Sequence, residues 1–236
     1  MLRAIVAVMS LVVLVTGCDD GTDDVDGGVL PTGSLWVRFA IENEQGEGTT
    51  AYVTFRRGGP EADSVELEEG GRVTCNGKRL EVTQEVWSRV TYYKAVVPVL
   101  GEGGQYDFLL TRSSGDVFEE SLTLPSSVLI EEAPSEVQPG REVAVTLSAG
   151  DADELQVAVV APCLALAEVS LDGDAQSATL TGDQIVCACE AGGNTPPCDG
   201  VVRAQRISRG AVSEDFAGGE TLGVQRHEVD VHAIPE

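Results

Sequence analysis

Apolar and polar residues alternate along most of this chain, and that period of two constrains its fold more than any other feature. Successive side chains of a β-strand point to opposite faces, so such alternation predicts strands with one buried face. The pattern occurs at Leu35/Val37/Phe39/Ile41, Ala51/Val53/Phe55, Tyr106/Phe108/Leu110, Val143/Val145/Leu147, Leu155/Val157/Val159, Ala178/Leu180 and Val229/Val231/Ala233. Beyond the N-terminal segment, no stretch shows the 3.6-residue repeat of an amphipathic helix. The sequence therefore predicts an all-β protein.

Turn signals separate the predicted strands. Asn76-Gly77 lies between two β-rich runs, and both residues tolerate the positive φ angles of a type I′ hairpin turn. Another β-rich run, residues 90–99, ends at the glycine-rich residues 101–104. Short strands that alternate with glycine-containing turns favour a β-sandwich over a barrel or a helical repeat.

The predicted strands form two groups that meet near Pro125. Pro134 and Pro139 further interrupt the chain before the next alternating run begins. The residues that follow the N-terminal segments suffice for two sandwich domains of about 100 residues each. We therefore predict tandem antiparallel β-sandwich domains at residues 34–125 and 126–236.

A short stretch at the start of the second predicted domain resembles a known fold family. Residues 137–147 place the turn Pro139-Gly140 before the alternating residues Val143, Val145 and Leu147. This stretch is similar to the entry of bacterial immunoglobulin-like domains, where such a turn leads into an inner strand. The resemblance covers little of the chain, and it implies immunoglobulin-like sandwiches.

The N-terminus has the layout of an export signal. Arg3 supplies a positive charge, and residues 4–15 are apolar except for Ser10. This run is shorter than the roughly 20 residues that a membrane-spanning helix needs. It ends at Val15-Thr16-Gly17-Cys18, which resembles the lipobox of bacterial lipoproteins, although Leu is more usual than Val at the first position.

The lipobox resemblance implies a processing route and an address. Residues 1–17 would be removed as a signal peptide, and the Cys18 thiol would carry the lipid that anchors the chain to a membrane of the cell envelope, facing the periplasm or the cell surface. Asp19 resembles the inner-membrane retention signal of enteric bacteria, but the choice between inner and outer membrane stays open. The alternative is an ordinary cleaved secretory signal.

Residues 18–33 have the composition of a disordered tether. Five aspartates and several glycines, with no basic residue before Arg38, cannot bury enough apolar surface to fold alone. A calcium loop is the alternative, but Asp24-Val25-Asp26-Gly27 supplies only a fragment of the EF-hand pattern. We therefore predict an acidic spacer between the lipid and the folded domains.

The net charge of the chain disfavours some classes of binding partner. The formal net charge is −24, from 39 acidic and 15 basic residues. Such a charge repels nucleic acid and anionic lipid headgroups. We therefore expect no nucleic-acid partner.

The second predicted domain contains four cysteines, and an exported chain favours disulfides over free thiols. Cys187 and Cys189 are too close in sequence to pair comfortably, so we expect each to pair with Cys163 or Cys198. A four-thiolate zinc site is the alternative, but the spacing lacks paired C-x₂-C motifs. The unpaired cysteine of the first domain, Cys75, is predicted to be a small buried residue.

Catalytic patterns are weak. The string from Gly46 to Ala51 matches a dinucleotide-binding motif, but a strand follows it where that motif requires a helix. His227 and His232 are five residues apart on a predicted strand and should face opposite sides. Aromatic residues that could line a carbohydrate-binding face are predicted instead to pack in the core or to support strand pairing: Trp36, Trp87, Tyr92 and Tyr93.

These observations predict a membrane-anchored envelope lipoprotein that acts as a noncatalytic binding or adhesion module. The alternative is a structural or accessory subunit of an envelope protein complex. We expect no enzyme activity, no cofactor and no metal site. The expected partners are membrane lipid, through Cys18, and an envelope protein or a surface ligand.

Overall fold

The computed structural model describes residues 30–45, 48–85, 90–101, 103–188 and 196–235. Within these ranges the chain forms β-strands and a single 3₁₀ turn at Thr32–Ser34, which confirms the predicted all-β class. In the same ranges, no helix has the length and apolar character needed to cross a bilayer. The signal peptide, Cys18 and most of the predicted tether lie outside the described residues.

The strands differ widely in length, from two-residue edge pairs to a final hairpin of 14 and 16 residues. They are β1 (Leu35–Glu44), β2 (Gly48–Arg57), β3 (Ser64–Val65), β4 (Arg72–Cys75), β5 (Lys78–Arg79), β6 (Glu81–Gln84), β7 (Thr91–Val97), β8 (Gln105–Thr111), β9 (Val117–Thr123), β10 (Ile130–Glu132), β11 (Glu136–Val137), β12 (Val143–Leu147), β13 (Glu154–Val160), β14 (Ala167–Asp172), β15 (Ser177–Leu180), β16 (Cys198–Ala211) and β17 (Gly218–Ala233).

The first half of the chain forms one sandwich. Strands β6-β7-β2-β1 face a four-stranded sheet in the order β5-β4-β8-β9. The alternating residues of β1 and β2 point inward, and Phe39 meets Phe108 of the facing sheet with ring centroids 5.1 Å apart. Sequence alternation thus creates the first hydrophobic core.

The second half forms another sandwich with its own core. Strands β10-β12-β15 face the strands β14-β13-β16-β17. Leu147, Leu155 and Leu180 are buried between these sheets. The predicted turn at Pro139-Gly140 leads directly into β12, and Gly140 has a φ of 75°.

The two sandwiches share one sheet. Strand β17 pairs in parallel with β1, from Trp36 opposite Gly218 to Glu44 opposite Arg226. This pairing joins the strands of both halves into a ten-stranded sheet. Strand β11 also pairs in parallel with β17, whereas the other pairs among the described strands are antiparallel.

The strand order of the first sandwich is immunoglobulin-like. Strands β1, β2, β7 and β6 occupy positions A, B, E and D of that fold, and β4, β8 and β9 occupy C, F and G. The hydroxyl of Tyr106, near the start of β8, accepts a hydrogen bond from the N–H of Leu100 (3.0 Å) and donates one to the carbonyl of Pro98 (3.3 Å). This contact is a tyrosine corner, which immunoglobulin-like sandwiches use at the same place.

The predicted hairpin at Asn76-Gly77 is confirmed. Cys75 pairs with Lys78, and the two turn residues have φ angles of 47° and 75°. These positive values belong to a type I′ turn, whose twist matches that of the flanking strands.

The long hairpin β16–β17 spans both halves of the chain. Val212 and Phe216, in the connection between the two strands, pack in the core of the first sandwich, whereas Val202 and Val231 pack in the second. The domain boundaries at residues 34–125 and 126–236 stay predictions, because one hairpin contributes to both cores.

Candidate binding face on the shared sheet

We call the side of the ten-stranded sheet that points away from both cores the outer face. On β2 the inward residues are buried, which places Thr50, Tyr52 and Thr54 on the outer face. On β17 the even-numbered residues, including Glu220 and Arg226, share it because they pair with outward residues of β1. The outer face is therefore one continuous surface that crosses both halves of the chain.

Aromatic side chains lie on the outer face. The rings of Tyr52 and Tyr92 are 6.0 Å apart, and the Lys94 ammonium group lies 5.8 Å from the Tyr92 ring centre. The guanidinium of Arg38 lies 5.6 Å from the Trp36 ring centre. These rings are half-buried, so each presents apolar surface to solvent.

The predicted core role of the aromatic residues therefore holds only in part. Tyr93 is buried in the first core, but Trp36 and Tyr92 lie on the outer face, although both belong to paired strands. The reason is the strand period of two, which sends neighbouring residues of β7 to opposite faces. Trp87 lies outside the described residues.

Cross-strand ion pairs run across the outer face from the second half to the first. Arg209 contacts Glu154 at 3.2 Å and Glu220 at 3.5 Å, and the Nε of Arg38 donates to Glu220 at 2.6 Å. These residues belong to strands β13, β16, β17 and β1. The ladder supports the β17–β1 junction, although each exposed pair contributes only about 0–1 kcal/mol.

A small cavity of about 170 Å³ opens on the outer face where strand β1 ends and strand β2 begins. We call it the Tyr52 pocket. Gly48, at the edge of the pocket, has a φ of 111°, a backbone conformation that favours glycine. Its lining includes Glu42, Glu44, Gly48, Thr50, Tyr52 and Arg226.

The polar groups of the Tyr52 pocket are held in place. The guanidinium of Arg226 lies 3.9 Å from Glu42 and 3.7 Å from Glu44. With the Gln205 amide oriented so that its oxygen faces Arg226, this oxygen accepts hydrogen bonds of 2.8 Å and 2.6 Å from the guanidinium. Burial raises the pKa of Tyr52, and the nearby Glu42 charge raises it further, so the phenol remains a hydrogen-bond donor.

The sequence prediction missed the Tyr52 pocket, although one signal for it was present. Tyr52 stands between the inward residues Ala51 and Val53, so alternation alone places its ring outside the core. The contribution of Arg226 had no such signal, because its approach to Glu42 and Glu44 depends on the β1–β17 pairing.

Beneath the sheet, Arg206 is fully buried between the two cores. Its guanidinium donates to the carbonyls of Ser127 and Ser148 at 2.6 Å each, and to that of Ala149 at 3.4 Å. A Cβ at Gly150 would lie 1.9 Å from this guanidinium, so a side chain there would displace Arg206. Arg206 thus ties the segment that joins the two halves to the β12–β13 connection.

A second buried arginine holds the N-terminal end of the fold. Arg112 donates to the carbonyl of Leu30 at 2.6 Å, to the hydroxyl of Thr32 at 3.0 Å and to Glu68 at 2.7 Å. Burial opposes ionisation of Glu68, but hydrogen bonds from Arg112 and the Ser113 N–H lower its pKa to about 2. The last residues of the predicted tether are therefore fixed to the first sandwich.

A disulfide links Cys163 and Cys198, with Cα atoms 6.0 Å apart. Disulfide bonding in the second half is thus confirmed, but the expected pairing of both Cys187 and Cys189 with these residues is wrong. The β13–β16 register explains the pairing: Val160 lies opposite Val201, and continuing it by three residues sets Cys163 opposite Cys198.

The same disulfide excludes the four-thiolate zinc alternative, because two of its sulfurs are bonded to each other. Cys187 is also disulfide-bonded, and Cys189 lies outside the described residues.

Cys75 is a buried free thiol, as predicted, and burial, together with the charge of Asp107, raises its pKa to about 12. Among the described residues, no group of three or more His, Cys, Asp or Glu could hold a metal ion.

The two histidines face opposite sides, as predicted. The Nδ1 of His227 accepts a hydrogen bond from the N–H of Ile130 (3.0 Å), on the core side of the sheet. The His232 ring lies 3.1 Å from Asp199 on the outer face. The Gly46–Ala51 string is also explained, because Gly48 to Ala51 lie in strand β2 and open no helix.

The chain is thus an all-β protein with immunoglobulin-like sandwiches and an outward-facing pocket. No model of a known protein family matches it, and no curated protein matches it. Among solved structures it is similar to the Ig1-2 module of the Drosophila receptor protein tyrosine phosphatase DLAR, at 11% identity, covering 86% of this chain and 98% of that one, with a TM-score of 0.34.

Two further likenesses involve tandem modules. A two-domain fibronectin type III segment of chicken tenascin is 16% identical, covers 74% of this chain and 90% of its own, and has a TM-score of 0.25. The Yersinia pseudotuberculosis adhesin InvE is 13% identical; the match covers 85% of this chain and 61% of InvE, with a TM-score of 0.27. TM-scores this low carry no inference about ligand or partner, so the fold assignment rests on strand order and the tyrosine corner.

Proposed function

We propose that this chain is a noncatalytic binding or adhesion module of a bacterial cell envelope, anchored through lipid on Cys18. The observation that supports it best is the outer face, where one sheet presents half-buried aromatic rings and the Tyr52 pocket away from both cores. The Tyr52 pocket places one aromatic ring among fixed polar groups, an arrangement that can orient a polar ligand.

The strands and contacts beneath the outer face hold it rigid, which favours ligand binding. Arg206 fixes the connection between the halves, and the β16–β17 hairpin contributes to both cores. A face on paired strands loses less conformational freedom on binding than a face on loops, so more of the contact energy appears as affinity. The outer face is therefore a preorganised platform.

The proposed anchor joins the fold at a defined point. Arg112 holds Leu30 and Thr32 against the first sandwich, so the proposed spacer runs from Cys18 to this contact. Fully extended, it would reach roughly 40 Å. This length would lift the outer face off the membrane surface while keeping it tethered.

The anchor is tested by expressing the full chain and a Cys18→Ser variant in a bacterial host with a fatty-acid label. We expect label and membrane association in the original chain, and an uncleaved, unlabelled product in the variant. A Cys18→Ala variant controls for the hydroxyl group. Maturation and membrane retention of either variant would contradict the anchor.

The binding role is tested by crosslinking in the intact envelope, followed by mass spectrometry. Substoichiometric capture of a ligand through the outer face supports the binding module. A stable stoichiometric complex that survives purification would instead support the alternative, an accessory subunit of an envelope protein complex.

A further inference from the structure

We propose that the Tyr52 pocket binds a neutral oligosaccharide, an inference that rests on the proposed binding function. The pocket combines the Tyr52 ring, two carboxylates and a guanidinium around a cavity of about 170 Å³. Each of these groups restricts the class of ligand.

The charged groups of the pocket already face one another. Glu42 and Glu44 both lie close to Arg226, so an anion meets the two carboxylates, and a cation must compete with the guanidinium for them. A sugar hydroxyl both donates and accepts hydrogen bonds, so it can donate to a carboxylate and accept from the guanidinium at the same time. A neutral polyhydroxylated ligand therefore uses all of the polar groups.

The outward-facing surface beside the pocket continues onto strand β7. Tyr52 lines the cavity, Tyr92 lies 6.0 Å from it on the neighbouring strand, and Val96 pairs with Thr50 and is 71% exposed. The apolar C–H face of a sugar ring can pack on such a surface, as aromatic rings bury apolar area at low entropic cost. The Tyr52 and Tyr92 rings, with the Lys94 ammonium group beside Tyr92, can contact a second sugar unit, which favours an oligosaccharide over a monosaccharide.

The polar groups are positioned before any ligand arrives. The Gln205 amide oxygen holds the Arg226 guanidinium through two hydrogen bonds, and the two carboxylates flank it from β1. Fixed donors and acceptors lower the entropic cost of binding. The geometry thus prepares the site for hydroxyl groups at a defined position.

The proposal is tested by calorimetric titration of the purified full-length chain with neutral hexasaccharides of β-glucose, β-xylose, mannose and N-acetylglucosamine. Hexagalacturonate and a chitosan hexamer serve as anionic and cationic probes. We expect saturable binding of at least one neutral probe, and weaker binding of both charged probes. Failure of every neutral probe, or preference for a charged one, would overturn the proposal.

Substitutions test whether the glycan binds at the Tyr52 pocket. Tyr52→Ala and Arg226→Met should each weaken binding by about tenfold or more, the loss expected for a ring contact or a charged hydrogen bond. Trp36→Ala is the matched control, because this outer-face ring packs on Arg38 and does not line the pocket. Thermal unfolding of each variant checks that it is folded. Equal losses in Tyr52→Ala and Trp36→Ala would overturn the assignment to the pocket.

Failure of this inference is distinguishable from failure of the proposed function. If envelope crosslinks from the outer face persist in Tyr52→Ala while no neutral glycan binds, the binding module stands and the glycan assignment falls. If both are absent, both proposals fall.

Discussion

At the scale of residues, Arg206 and Arg112 are almost fully buried, and each holds backbone carbonyls that lie outside the strand ladders. A charged donor strengthens such hydrogen bonds, and its removal leaves buried acceptors without a partner. Sequence alone could not identify this role, because an arginine in a strand is usually exposed.

Arg206→Met is expected to lower the free energy of unfolding by about 2–4 kcal/mol, since the buried carbonyls of Ser127 and Ser148 lose a charged donor. Urea denaturation measures the loss. Arg57→Met, at an exposed position, is the control and should change stability by less than about 0.5 kcal/mol. Equal effects would show that Arg206 does not stabilise the segment that joins the two halves.

Glu68→Gln is expected to lower the free energy of unfolding by about 1–3 kcal/mol at pH 7, because the charge-assisted hydrogen bond from Arg112 is lost. The folded pKa of Glu68 is about 2, below its usual 4.5, so its contribution is complete above pH 4.5 and is lost as pH falls towards 2. Stability measured against pH should therefore show the two proteins converging at low pH. A constant difference down to pH 2 would contradict the ion pair.

At the scale of elements, local patterns were predictable and long-range pairings were not. Alternation gave the strands, and Asn76-Gly77 gave the hairpin, because both depend on neighbouring residues. The β1–β17 pairing joins residues 182 positions apart, and no local pattern encodes its register. For the same reason, the sequence analysis did not predict the Cys163–Cys198 pairing or the placement of Arg226 beside Glu42.

The Cys163–Cys198 disulfide should stabilise the ends of β13 and β16. It closes a separation of 35 residues, so the double variant C163A/C198A should lose roughly 3–4 kcal/mol of unfolding free energy. Chemical denaturation under non-reducing conditions measures this loss. C75A removes a cysteine that forms no disulfide and is the control for loss of a thiol. An unchanged denaturation midpoint in the double variant would contradict the assigned pairing.

At the scale of the whole molecule, the shared sheet couples two hydrophobic cores. Strand β17 pairs with β1 of the first sandwich and with β16 of the second, so neither core can open without disturbing it. Tandem sandwiches joined by a free linker would unfold separately. The predicted tandem arrangement did not anticipate this coupling, because alternation reveals strands without their sheet partners.

Calorimetry should therefore show one unfolding transition. Phe39→Ala in the first core and Leu155→Ala in the second should each lower the midpoint temperature of that transition. Each should also lower the free energy of unfolding by about 2–5 kcal/mol. Two peaks, of which each variant moves only one, would show that the cores are independent.

The central claim is that the outer face is the binding surface of the molecule, and site-specific photocrosslinking in the intact envelope tests it most directly. A photoreactive residue at Val96, on the outer face beside Thr50, is compared with one at Val117, an exposed valine of β9 in the four-stranded sheet. We predict a specific product from position 96 that is missing from position 117. No product from position 96, or the same products from both positions, would contradict the account.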